Sequence, residues 1–367
     1  MDSLTQAALG AAVGVAVMGR RTAAWKAALW GGIAGTLPDL DALIDHGDAV
    51  LNMVLHRADT HALLYLALAG WPLGWLIARW HGESGQWPRW GLAMVLVLVT
   101  HALLDAMTVY GTQLLRPFTD TAYGVGSVFI IDPAYTLPLL VGVAWALWRT
   151  PSGHRANAAG LALSTAYLGW SALAQAWVSD HARESLAAAG LPSQQVLVTP
   201  APFTTALWRI VSVDGTHYHE GYYALLDRGR PVAFRSYPRG AELIRQHGHH
   251  PHVQRIARFS DGFYRLHSRD GRLWLTDLRM GQEPHYSFDF DLGPPLPPDS
   301  PPPVAQRAGL RADLRTGLPW LWARLQGQAL PPLGEFLAQA PRPRPSGAGQ
   351  PHPVEALLPA APPPRLP

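Results

Sequence analysis

The feature that most constrains this chain is a series of apolar runs whose ends carry histidine and aspartate. The clearest is Ala62 to Ile77, long enough to cross much of a bilayer. Directly before it stands His56-Arg57-Ala58-Asp59-Thr60-His61. Two imidazoles, a guanidinium, a carboxylate and a hydroxyl are costly to place at the mouth of a membrane helix, and such groups usually serve function.

The rest of the first half repeats the pattern. Leu4 to Met18 is apolar and small, with Gly10 and Gly14 at the four-residue spacing that lets membrane helices pack closely. Ala27 to Leu37 carries Gly31, Gly32 and Gly35 and ends in Pro38-Asp39-Leu40-Asp41. It is short for a span unless it runs from Trp25 to Ile44 with the Pro-Asp break inside it. Further runs cover His61 to Arg79, Trp90 to Met107, Ala134 to Trp148 and Ala158 to Val178. Counting the first two, the expectation is about six spans. The basic loops, with Arg20, Arg21 and Lys26, then Arg79 and Arg89, then Arg149 and Arg155, alternate with the others. By the positive-inside rule they are cytoplasmic. That places the 38–61 and 105–132 stretches and the C-terminal half outside, which in a bacterium is the periplasm.

From Gly190 the character changes. Val196 to Val213 and Tyr218 to Leu226 alternate apolar and polar residues, as strands do. Phe259 to Ser268 and Arg272 to Arg279 repeat this around Asp261-Gly262 and Asp270-Gly271, both hairpin signals. From Pro294 the chain is Pro-rich, with a possible helix at Ala305 to Gln326 and a tail over 341–367 that cannot bury enough surface to order. The expected fold class is an all-α polytopic membrane helix bundle, a small mostly antiparallel β domain and a Pro-rich tail. The domains read as 1–180, 190–293 and 294–367.

Composition narrows the chemistry. The 367 residues include no cysteine, so disulfides, thiolate metal sites and thiol nucleophiles are excluded. Any metal must be held by histidine, of which there are 16, and carboxylate. That favours zinc, with manganese, iron or magnesium as the other divalent choices. The net charge of +3 and the lack of a basic run with interleaved aromatics argue against nucleic acid. Asp2 stands where a secretory signal would be basic.

His101 and Asp105 lie four apart on one helix face, where they can share a divalent metal or simply cap the helix end. His56 and His61 flank the start of the next apolar run, and Asp39 and Asp41 follow Pro38 in a turn. Asp132 precedes Pro133 at the head of another run, as an N-cap or as a functional group. Under one topology all of these lie on one side of the membrane. The metal set is read as Asp39, Asp41, His56, His61, His101 and Asp105. Arg57 would steady a phosphate or hold a ligating carboxylate. Asp59 or Asp132 would orient a water or a histidine. The His247-Gly248-His249-His250-Pro251-His252 stretch reads as a solvated loop, and His217 and His219 as neighbours on one strand face.

Several of these stretches together resemble the bacterial inner-membrane metal-dependent hydrolases, also described as LexA-binding membrane-associated hydrolases. They are Asp2-Ser3-Leu4-Thr5-Gln6 with Leu9-Gly10-Ala11, Gly35-Thr36-Leu37-Pro38-Asp39-Leu40-Asp41, and His56-Arg57 followed by Thr60-His61. His101-Ala102-Leu103-Leu104-Asp105, Tyr110-Gly111-Thr112-Gln113 with Pro117-Phe118, and Ile131-Asp132-Pro133 complete them. The resemblance covers roughly residues 1–180. It implies a metal-dependent hydrolase of the inner membrane, distantly similar to zinc-dependent phospholipase C. Ala58-Asp59-Thr60 stands where the family has Gly-Phe-Ser or similar, which adds a carboxylate.

The leading expectation is an integral membrane metallohydrolase in which the metal lowers the pKa of a bound water toward neutral. Its substrate would be a phosphoester or lipid-like molecule, met among membrane lipids. The rivals are an ion- or proton-translocating protein and a non-enzymatic anchor presenting its β domain to a protein partner.

Overall fold

The computed structural model describes residues 1–149, 152–295, 303–308 and 314–339. The first half folds as three helical hairpins. Helix α1 (Ser3–Met18) pairs with α2 (Ala24–Ala34), α4 (Leu63–Trp80) with α5 (Trp87–Ala106), and α6 (Pro133–Trp148) with α7 (Ser152–Ala188). A short helix α3 (Ala49–Leu55) lies between the first two hairpins, flanked by 3₁₀ turns at Pro38–Leu43 and Asp59–His61.

Small residues dictate each seam. A Cβ at Gly10 would stand 2.2 Å from the Gly31 carbonyl oxygen, and one at Gly14 2.5 Å from that of Ala27. At Gly74 it would fall 2.3 Å from the Gly91 nitrogen, and at Gly160 2.3 Å from the Pro138 oxygen. Only hydrogen fits at these crossings, so the backbones meet directly. Asp2 caps α1, its carboxylate accepting from the amides of Leu4 and Thr5.

Among the described residues two helices, Leu63–Trp80 and Ser84–Ala106, are long and apolar enough to cross a bilayer, against the expectation of about six spans. The helices Ser3–Met18 and Pro133–Trp148 are apolar but have 16 residues each, about 24 Å of helix. The outer faces of α4, α6 and α7 leave Leu68, Trp75, Trp80, Val141, Trp148, Leu173 and Trp177 exposed. An apolar exterior of this extent suits a lipid environment. The turns after α1 and after α4 meet at one end of the bundle, where Glu83 accepts from Lys26 at 2.7 Å and Thr22 at 2.8 Å.

Helix α7 runs unbroken for 37 residues, about 55 Å. It passes well beyond the expected end at Val178. Its Ala174, Val178 and Ala182 enter a core with Val198, Trp208 and Tyr223 of the β domain. Among its described residues that domain holds two four-stranded antiparallel sheets and a two-stranded ribbon. One runs in sequence order through β1 (Val196–Pro200), β2 (Leu207–Val213), β3 (His217–Ala224) and β4 (Phe234–Pro238). Two helices follow, α8 (Ala241–His247) and α9 (Pro251–Phe259), then β5 (Tyr264–Arg269) and β6 (Arg272–Asp277). After the small ribbon β7 (Gly281–Gln282) and β8 (His285–Tyr286) come β9 (Asp289–Asp291) and β10 (Gln306–Arg307). The second sheet has the order β10-β9-β6-β5.

Asp270-Gly271 makes the expected hairpin, with φ of 54° and 70°. Asp261-Gly262 does not. It joins α9 to β5, because Val253, Ile256 and Phe259 recur at helical spacing and bury one face of α9. Helices α10 (Leu314–Leu325) and α11 (Leu333–Gln339) fall in the stretch read as tail. Trp320 packs with Leu207 and Tyr222 of the first sheet, and Arg324 pairs with Asp227. This part of the stretch is thus built into the β domain, whereas 341–367 lies outside the described residues.

Candidate metal centre

The seams of the bundle decide where the polar groups go. Gly35, at the end of α2, lies so close to α1 that a Cβ would sit 2.6 Å from the Gln6 oxygen. From there its carbonyl accepts from His101 Nδ1 at 2.7 Å, which fixes the tautomer and rotation of a ring on α5. The 3₁₀ turn opened by Pro38 then brings Asp39 to the same place. His61 enters from the turn before α4, and Asp105 stands one turn beyond His101.

These four residues place a ligand atom each within 4.8 Å of all the others. His61 Nε2 lies 3.1 Å from His101 Nε2 and 3.2 Å from an Asp105 oxygen. Asp39 Oδ1 is 3.5 Å from His61 Nε2 and 3.7 Å from His101 Nε2, and His101 Nε2 is 3.5 Å from Asp105 Oδ2. His61, His101 and Asp105 are buried, and Asp39 is partly open. His61 Nδ1 faces Thr60 Oγ1 at 2.9 Å, and that hydroxyl donates to Asp41 at 2.6 Å, so the ring nitrogen is the donor. With both Nδ1 atoms donating, neutral imidazoles point two bare Nε2 lone pairs at each other beside two carboxylates. Such a set repels itself unless a proton on one Nε2 or a metal cation sits among it.

The spacing fits that cation. Metal–ligand bonds of about 2.0–2.2 Å give a tetrahedron with edges of about 3.3–3.6 Å, close to the separations found. Two nitrogens and two carboxylate oxygens are a donor set for zinc or a similar divalent metal.

Asp41 and His56 stand behind this group. Asp41 accepts from His56 Nδ1 at 2.8 Å, the Arg57 amide at 2.9 Å and Thr60 at 2.6 Å. Burial opposes its ionisation, but the hydrogen bonds from His56 and Thr60 outweigh it and hold the carboxyl down at about 2.

Arg57 is buried, with Nε 3.2 Å from Asp105 and Nη1 donating to Thr108 at 3.2 Å. Its φ of 63° is uncommon for a residue with a side chain, and Asp41 grips its amide. The structure does not bring Asp59 or Asp132 to the four ligand atoms. Asp59 is exposed and pairs with Arg116 at 2.7 Å. Asp132 caps α6 and accepts from Tyr167.

Two groups outside the expected site also reach Asp105. Gln6 donates to Asp105 at 3.0 Å, and the Met1 amino group also donates to Asp105. The polar start of an apolar helix was the available signal for Gln6, because a buried amide in such a place must find a partner. The His-rich stretch of the β domain makes the turn between α8 and α9 and runs into the first residues of α9, where buried His252 lies 3.6 Å from Asp48.

Residues 1–178 match the YdjM inner membrane protein family. The YdjM match covers the helical bundle as far as Val178 within α7, with every residue of the four-ligand group, and stops before the β domain. It supports an inner-membrane location. The chain is also similar to the uncharacterized protein YfhP of Bacillus subtilis (strain 168). The two are 25% identical over 150 residues, 39% of this chain and 46% of YfhP. The chain thus spans about half the length of that relative. No solved structure matches the chain.

Proposed function

We propose that this chain is an integral membrane metal-dependent hydrolase acting on a phosphoester or lipid-like substrate. The observation that carries the reading is the facing pair of His61 and His101 Nε2 atoms, 3.1 Å apart and beside Asp105 and Asp39. A divalent metal, when bound, supplies Lewis acidity and makes water a better nucleophile at neutral pH. Asp39, His61, His101 and Asp105 hold it. Gly35 and Thr60 orient the two rings, Arg57 balances the charge of Asp105, and Gln6 donates a hydrogen bond to it. His56 is the proton carrier. Its side chain is 23% exposed and its Nδ1 is tied to Asp41, which leaves Nε2 to meet water or substrate. Leu37, Leu40 and Leu43, which flank Asp39 and Asp41 in the chain, are exposed, and such apolar neighbours favour a substrate with a lipid tail.

The test starts from protein purified in detergent. Metal content is measured for wild type, His61→Ala and His101→Ala, followed by hydrolysis of a panel of phosphodiesters, phosphomonoesters and phospholipids. We expect stoichiometric metal and hydrolysis in wild type, with both lost in the variants. Wild type without stoichiometric metal would remove the basis of the reading. Bound metal with the whole panel untouched would overturn the hydrolase and favour ion translocation.

A further inference from the structure

The β domain meets the helical part of the chain at Tyr110, where a buried arginine, Arg279, crosses between them. Arg279 follows β6 and forms a fork with Asp277, Nε at 3.1 Å and Nη2 at 2.7 Å. Its remaining nitrogen, Nη1, crosses to the helical part of the chain and donates to the Tyr110 carbonyl at 3.1 Å. The guanidinium lies 4.8 Å over the Phe259 ring, and both Asp277 and Arg279 are buried. A buried arginine with a bidentate partner is a stiff connection, because its planar fork leaves few alternative geometries.

Tyr110 passes the connection on. Its ring packs edge-on against Phe259 and Phe288 of the β domain, at 5.7 and 5.8 Å. On its other side it meets His56 at 5.5 Å and lies 5.0 Å from the Arg57 guanidinium. Its hydroxyl donates to the Met53 carbonyl at 2.6 Å, three residues before His56. Val50 and Met53 of α3 are buried in the same apolar cluster as Val253, Ile256, Leu275 and Phe290. The His56-Arg57 pair, its strained backbone included, is therefore braced from the β domain.

We propose that Arg279, through Tyr110, is a positioning device by which the β domain holds the His56–His61 segment around the metal. The β domain then completes the centre instead of serving as a separate display module. The inference rests on the metal-centre reading for its consequence but not for its geometry, so two measurements separate them. Both use the full chain in detergent, as wild type, Arg279→Ala, Arg279→Lys and Tyr110→Phe. The control is Arg272→Ala, which removes an exposed ion pair with Asp291 in the same domain.

The first measurement is backbone amide exchange. Arg279→Ala should speed exchange over residues 53–61 while β1 to β4 stay protected. Tyr110→Phe should do so over 53–56 alone, and Arg272→Ala should match wild type. The second is zinc affinity, by competition with a chelator. Supporting groups of this kind are worth about 10- to 100-fold in metal affinity, and we expect a loss in that range for Arg279→Ala, with partial rescue in Arg279→Lys. Exchange over 53–61 and zinc affinity both within twofold of wild type in Arg279→Ala would overturn the proposal. If wild type binds no zinc while exchange responds as stated, the brace stands and the metal reading falls. If wild type binds zinc and neither quantity responds, the brace falls and the metal reading stands.

Discussion

At the scale of single residues, the centre depends on groups that do not touch the metal position. Asp41 accepts three hydrogen bonds and gives the His56–His61 segment its shape. We expect Asp41→Asn to weaken metal binding by about 10- to 100-fold, read by chelator competition, with the four ligating residues unchanged. Asp41 also predicts a pH dependence. Its folded pKa of about 2 lies below the ordinary carboxylate value of 3.8. Its contribution to stability is therefore complete above the unfolded value and is lost as pH falls through the folded one. Thermal unfolding of the metal-free protein in detergent should separate wild type from Asp41→Asn most at pH 6, and by progressively less between pH 4 and pH 2. A gap that widens with acid would contradict this sign.

At the scale of elements, the glycine seams set the precision of the site. The crossing of α1 and α2 fixes Gly35, and Gly35 fixes His101. In Gly31→Val the added Cβ would meet the Gly10 carbonyl oxygen at 2.2 Å, and backbone must move to admit it. Overpacking of this kind costs about 1–3 kcal/mol or more. The variant should unfold at lower temperature and lose metal affinity, although Gly31 is no ligand. Gly85→Ala has nothing within 4 Å of the added Cβ and should match wild type in both measurements. Equal behaviour of the two variants would show that the seam does not govern the centre.

At the scale of the whole molecule, the open question is which side of the membrane the centre faces. The charge pattern of the loops predicts the periplasm. The absence of cysteine makes the test direct, because any introduced thiol is the sole one. Asp59 is exposed beside the centre, and Ser84 lies in the turn between α4 and α5 at the opposite end. A membrane-impermeant thiol reagent added to intact cells should label Asp59→Cys and spare Ser84→Cys. The reverse pattern would invert the topology.

Much of the centre was legible in the sequence. His61, His101, Asp105 and Asp39 stand at ends of apolar runs, where burying an uncompensated polar group is costly, and their position alone marked them. The division into a helical half and a β half followed from the change in periodicity near Gly190. Three things were not legible. Asp41 and His56 carry the same chemistry as the ligands, and only the path of the 3₁₀ turn at Pro38–Leu43 sets them behind the centre. Asp59 stands in the same six-residue stretch as the two histidines, yet it faces Arg116. A turn sends neighbouring side chains in different directions, and spacing does not record which way. The brace from Arg279 to Tyr110 joins residues 169 apart in the chain. The sequence by itself determined which residue types are available and which segments are apolar, because those follow from local composition and period. Only the tertiary structure decided which of those groups converge, because convergence depends on how closely the glycine seams let the backbones approach.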